Sequence, residues 1–203
     1  MSKRLVIMIL ILSAGATAQA NPLILAPTAA TLTTGQVRAE AALSSGNRDG
    51  HYYWLAAGLQ QYELNAIGFQ KRGERVQAAI GAQASFLPET SLSPGIAFGI
   101  SDIASQWDGV GVYAVVTKRL PVGESSPVIR ELAATVGVGV LGIKGPFGGI
   151  EAKLAGKFFV QAEWDSHDLN GAVGWQPIGL FRVKAYSIRG DTYYGAEVVP
   201  VTF

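Results

Sequence analysis

The sequence predicts an all-β fold, an antiparallel up-and-down barrel of about 10–12 strands, and three observations carry it. The first is strict alternation in Arg75–Phe86. Val76, Ala78, Ile80, Ala82, Ala84 and Phe86 fall on one side of an extended chain, and Arg75, Gln77, Ala79, Gly81, Gln83 and Ser85 on the other. The second is punctuation. Turn-forming clusters recur at Ser44–Gly50, Lys71–Gly73, Pro88–Thr90, Ser105–Gly109, Pro121–Ser126, Gly145–Gly149, Asp165–Asp168, Gln176–Pro177 and Arg189–Asp191. The third is a charge-free face sustained through the C-terminal segments, described below.

Between those turns the candidate strands follow in order. The first six are Gln36–Leu43, Tyr52–Gln60, Glu63–Gln70, Arg75–Phe86, Gly95–Ile103 and Gly109–Arg119. The later ones are Val128–Leu141, Ile150–Ala155, Lys157–Trp164, Leu169–Trp175, Leu180–Ile188 and Tyr193–Val201. Val128 and Ile129 are β-branched, which favours a strand there over a helical turn. Asn21–Thr34, with Pro22, Pro27 and a run of Thr and Ala, reads as an extended segment leading into a single domain at 35–203.

The C-terminal segments are the most explicit. Ile150, Ala152 and Leu154 oppose Glu151 and Lys153. Phe158, Val160, Ala162 and Trp164 oppose Gln161 and Glu163. Leu169, Gly171, Val173 and Trp175 oppose Asn170, Ala172 and Gly174. Phe181, Val183 and Ala185 oppose Arg182, Lys184 and Tyr186. One face of four successive strands is free of charge, and the other carries the ionic and amide groups.

Residues 1–20 have the form of an export signal. Lys3 and Arg4 precede the apolar run Leu5–Ala14, and Ala18-Gln19-Ala20 is a small-x-small cleavage site. The run is too short to span a bilayer, which needs roughly 20 apolar residues. Cysteine is absent, which excludes disulfides, thiolate metal sites, a Cys nucleophile and a lipidated N-terminal Cys. The near-neutral charge offers no basic footprint for nucleic acid.

Either an aqueous or a membrane setting accommodates an alternating sheet. In water the apolar faces form the core; in a bilayer they face lipid, and the polar faces fill the lumen. Charged residues are only 15% of the chain, while 25 glycines accompany abundant Ala and Val, which suits a crowded lumen and an apolar exterior. Aromatics stand near strand ends, at Tyr52-Tyr53-Trp54, Trp107, Trp164, Trp175 and Tyr193-Tyr194, as in interfacial girdles. Val199 and Val201 alternate towards a terminal Phe203, which resembles the assembly signal of bacterial outer-membrane barrels. Pro200 cannot donate to a ladder, and Glu197 shares parity with Val199, so a bulge or an aqueous boundary is expected near them. The expectation is an outer-membrane barrel in contact with membrane lipid and with the assembly machinery through Phe203.

Three further segments resemble motifs of the YjbH-type outer-membrane family, which is associated with exopolysaccharide. Pro94–Ile103 is similar to a strand motif of that family, Tyr113–Arg119 to the strand that follows it, and Ala162–Gly171 to an acidic turn between two late strands. The resemblance implies an accessory or structural role in exporting or anchoring cell-surface polysaccharide. It carries no catalytic residues. Family members are longer and often lipoproteins, whereas this chain has room for one unit and no Cys.

Chemistry at a rim is the alternative. Ser166, His167 and Asp168 share one turn, and a barrel enzyme acting on lipid or glycan would use them; adjacency alone does not orient a triad, and a polar hairpin turn is the simpler expectation. A soluble periplasmic ligand-binding barrel is the other alternative. No spacing of metal ligands or phosphate-loop ending appears, so no cofactor or metal is expected. The candidate site is therefore the lumen, lined by Glu151, Lys153, Gln161, Glu163, Asn170, Arg182 and Lys184. Buried charges of this kind must pair, so a plugged interior is favoured over an open polar path.

Overall fold

The structure, a computed structural model, describes residues 23–45, 50–71, 73–122 and 126–202, with the side chains at 199–202 excepted. The export signal and Phe203 lie outside the described residues. Twelve strands form: β1 Gln36–Ser44, β2 Gly50–Leu59, β3 Tyr62–Lys71, β4 Gln77–Leu87, β5 Gly95–Ser101 and β6 Gly111–Pro121, then β7 Ile129–Leu141, β8 Gly145–Leu154, β9 Phe158–Trp164, β10 Leu169–Ile178, β11 Phe181–Ile188 and β12 Asp191–Thr202. Each pairs antiparallel with its neighbours in sequence, and β1 pairs with β12 to close the barrel. The fold is an up-and-down barrel of the outer-membrane type. Closure matters physically because an open edge in hydrocarbon would leave a row of unpaired N–H and C=O groups.

Two boundaries differ from those expected by three residues or more. Gly145–Gly149 is the first half of β8, and the turn lies just before it, because Gly148 and Gly149 pair with Trp164 and Glu163. A Gly-rich stretch signals small size as well as a turn, and here the backbones approach closely. Gln176-Pro177 likewise belongs to the end of β10, where the register shifts between Trp175 and Ile178. Near Pro200 it is a bulge that is present: Val37 pairs with Val201 and Ala39 with Val198, so Val199 and Pro200 together stand against Arg38. Between β11 and β12 the two-residue turn Arg189-Gly190 has φ of 51° and 82°, the left-handed pair of a type I′ hairpin.

Both ends of the chain's barrel segment, Gln36 and Thr202, pair at one end, here the terminal end; the opposite end is distal. The outward positions of all twelve strands carry no carboxylate. The outward cations Lys118 and Arg130 both stand near the terminal end. Val76, Ile80 and Phe86 are exposed, at 50%, 50% and 72%, while Gly81 and Gln83 are buried inside; Gln77, at the strand's end, is exposed. Val136, Val138, Val140, Ile150 and Val173 continue the exposed apolar band.

The aromatic girdle is only partly as expected. Tyr53, Trp164, Trp175 and Tyr194 point outward, but Tyr52, Trp54 and Tyr193 are buried inside with Tyr186 and Ile188. Proximity to a strand end does not determine face; parity does.

The extended segment 23–34 does more than lead into β1. It runs through the lumen, and Leu23, Ile24, Ala26, Thr28, Ala29 and Leu32 are all buried. It turns into β1 over Gly58, where a Cβ would stand 2.1 Å from the Thr33 carbonyl oxygen.

Candidate functional site

The lumen is filled in two ways, by charge pairs on the wall and by the N-terminal segment threaded between them. On the wall near the terminal end, Arg182 of β11 reaches past β10 and β9 to Glu151 of β8, with two parallel contacts of 3.1 Å. Gly174 makes this reach possible. The Phe159 ring occupies the space where a Gly174 side chain would be, 2.3 Å from its hypothetical Cβ, and the Arg182 guanidinium lies 4.0 Å over that ring. Gln161 donates to Glu151 at 2.7 Å. Lys184 pairs with Glu40 at 2.8 Å and Glu197 at 2.7 Å, and Glu197 also stands 3.7 Å from Arg182. The Tyr186 hydroxyl donates to Glu40. Three carboxylates and two cations thus interlock, as buried charges require.

Lys153 lies at the terminal mouth, half-exposed, and pairs with Glu131 at 2.7 Å. Glu163 behaves differently from the rest. It has no cation among the described residues. Its carboxylate instead accepts from the backbone N–H groups of Ile24 (2.7 Å), Leu25 (2.8 Å) and Ala26 (3.2 Å), and from Asn170 Nδ2 (3.0 Å). Pairing was expected of Glu163 as of the others; the partner is the backbone of the N-terminal segment.

That segment is tied at further points. Ala29 N–H donates to Thr117 Oγ1 at 2.9 Å, and Thr117 shares a hydrogen with Thr135 at 2.9 Å. Leu32 N–H donates to Glu63 at 2.8 Å. Gln83 Nε2 donates to the Thr28 carbonyl at 2.8 Å, while Gln83 Oε1 accepts from the Tyr113 hydroxyl at 3.0 Å. An extended chain with no strand neighbour would carry unsatisfied backbone groups; the lumen side chains supply their partners.

At the distal mouth, Asp102 accepts from the N–H groups of Gln106, Trp107 and Gly109 at 2.8 to 2.9 Å. This folds the 102–110 connection inward and sets Trp107 6.1 Å from Tyr52 and 6.3 Å from Phe69. Arg189 caps Trp107 at 5.7 Å and pairs with Asp108 and Asp168. Next to it, His167 and Asp168 donate their backbone N–H groups to Asp165, and Ser166 Oγ lies 3.0 Å from His167 Nδ1. Asp168 faces Arg189 rather than His167, so the turn does not assemble a triad.

Sequence reasoning placed the seven wall residues on one face and overlooked their complement. Glu40, Glu63, Thr117, Thr135 and Tyr113 are all lumen partners. A signal was available for the segment itself. No charged residue occurs between Asn21 and Gly35, and a chain threaded among buried charges has to be uncharged.

No family model matches the chain, and no curated protein matches it. Among solved structures it is similar to one described as KdgM porin in complex with disordered oligogalacturonate. Identity is 12% and the TM-score 0.49, over 80% of this chain and 98% of that one.

Proposed function

We propose that the protein resides in the bacterial outer membrane as a barrel closed at rest, with a structural or accessory role in exporting or anchoring surface polysaccharide. The observation that carries the location is the distribution of charge. The carboxylates of the strands face inward, with Glu151 and Glu197 paired to cations, and the outward positions lack carboxylates, the reverse of a barrel that keeps its core from water. The filled lumen supports an accessory role over a conduit. The polysaccharide itself comes from the resemblance to the YjbH-type family, and Phe203 is the proposed handle for the assembly machinery.

Fractionation tests the location. The exported chain is expected with outer membranes, extractable only by detergent, and faster on a gel before heating than after. A chain that stays soluble without detergent overturns the reading. Planar-bilayer recording tests closure: the full chain should give no steady conductance, and a chain lacking residues 23–34 should give one. For the accessory role, cells lacking the protein should display less surface polysaccharide, and an unchanged amount removes it.

A further inference from the structure

We propose that the pocket beneath the β8–β9 turn, at the terminal rim, binds the phosphate headgroup of an anionic membrane phospholipid. The inference rests on the membrane reading and goes beyond it, from bulk contact with lipid to one headgroup site.

The pocket has a volume of about 420 Å³ and is walled by four cationic side chains, Arg130, Lys153, Lys157 and Arg182, with no carboxylate among its lining residues. Two of the four are neutralised from behind: Lys153 by Glu131 at 2.7 Å and Arg182 by Glu151 at 3.1 Å. Among the described residues, Arg130 and Lys157 have no carboxylate partner. Local backbone places both. The β7–β8 register shifts between Ile129 and Glu131, which leaves Arg130 outside the ladder on the exposed side of a bulge. The β8–β9 turn has two successive left-handed residues, Gly156 at φ 74° and Lys157 at φ 66°. This conformation carries Lys157 across to β10, where its ammonium donates to the Pro177 carbonyl at 2.8 Å and keeps two further donors.

The rest of the lining identifies the ligand as a lipid. Leu154, Phe158 and Ile178 continue the pocket onto the lipid-facing surface; Phe158 and Ile178 are 54% and 60% exposed. Phe158 stacks with the outward Trp175 at 6.5 Å, an interfacial aromatic pair at the depth of headgroups. A free phosphate would satisfy the cations and leave the apolar margin bare. A phospholipid places its phosphate on Arg130 and Lys157 and its acyl chain along Phe158 and Ile178.

Native mass spectrometry of the full exported chain in detergent tests this, using barrel confirmed by heat-modifiable migration. Phosphatidylglycerol should be retained, in preference to phosphatidylcholine, and equimolar inorganic phosphate should not displace it. The pair Arg130→Gln with Lys157→Gln should weaken retention about thirtyfold, each cation near an anionic surface counting about fivefold. The pair Lys71→Gln with Lys144→Gln, which removes equal charge from the distal end, should leave it unchanged. Equal loss in both pairs, no preference over phosphatidylcholine, or displacement by phosphate would overturn the site. A chain that never enters detergent fails the membrane reading; a heat-modifiable barrel without the preference fails this inference alone.

Discussion

Arg182 reaches past two strands of the wall because Gly174, lying between it and Glu151, has no side chain to obstruct Phe159. Two changes separate the parts of this arrangement. Glu151→Ala leaves a buried guanidinium with Gln176 at 3.3 Å and, as its carboxylate, only Glu197 at 3.7 Å, and should destabilise the barrel by about 3–5 kcal/mol, read as a lowered urea midpoint for loss of heat-modifiable migration. A midpoint within error of the parent would mean that water reaches Arg182. Glu163→Ala acts on the segment rather than the wall. It removes the acceptor of three successive backbone donors, so residues 23–26 should become cleavable by added protease while the barrel stays heat-modifiable. Continued protection would show that Thr117, Gln83 and Glu63 hold the segment without it. Of these residues, Glu151, Glu163 and Arg182 were legible from parity alone. Glu40 follows the same parity, since Val37, Ala39, Ala41 and Leu43 make the other face of β1 apolar; Glu63 is less plain, because Ile67 and Phe69 share its face of β3.

Strands are the level at which the sequence speaks most directly. All twelve were legible, since one-residue alternation survives any tertiary context that buries one face. The boundaries that moved most, at Gly145–Gly149 and Gln176-Pro177, are where turn-type residues serve a strand instead. β7 gives the sharpest test of which face meets lipid. Val136 is outward, near the middle of its strand, and 65% exposed. Val136→Lys should cost about 2–4 kcal/mol in a bilayer, the penalty for a cation at the lipid-facing midplane, measured as a lower urea midpoint in vesicles. On a water-facing surface the same change would be close to neutral, and that result would reverse the orientation. The segment 23–34 has no such periodic signal. It forms no ladder, and its conformation follows from partners supplied by β3, β4, β6 and β9.

For the molecule as a whole, closure and filling are separate matters. Closure follows from β1 meeting β12, which only the summed stagger of all the strands decides. Filling follows from what the closed wall leaves inside: an ionic cluster near the terminal end, an aromatic cluster near the distal end, and an uncharged segment between them. The sequence by itself determined the strand set, the face of each strand and the polarity of that face, because these depend on neighbours one and two residues away. Tertiary structure alone decided that Arg182 meets Glu151 and Lys184 meets Glu40, and that residues 23–34 lie in the lumen. Those contacts join residues up to 144 positions apart, and their partners are chosen by barrel geometry, which no local pattern encodes.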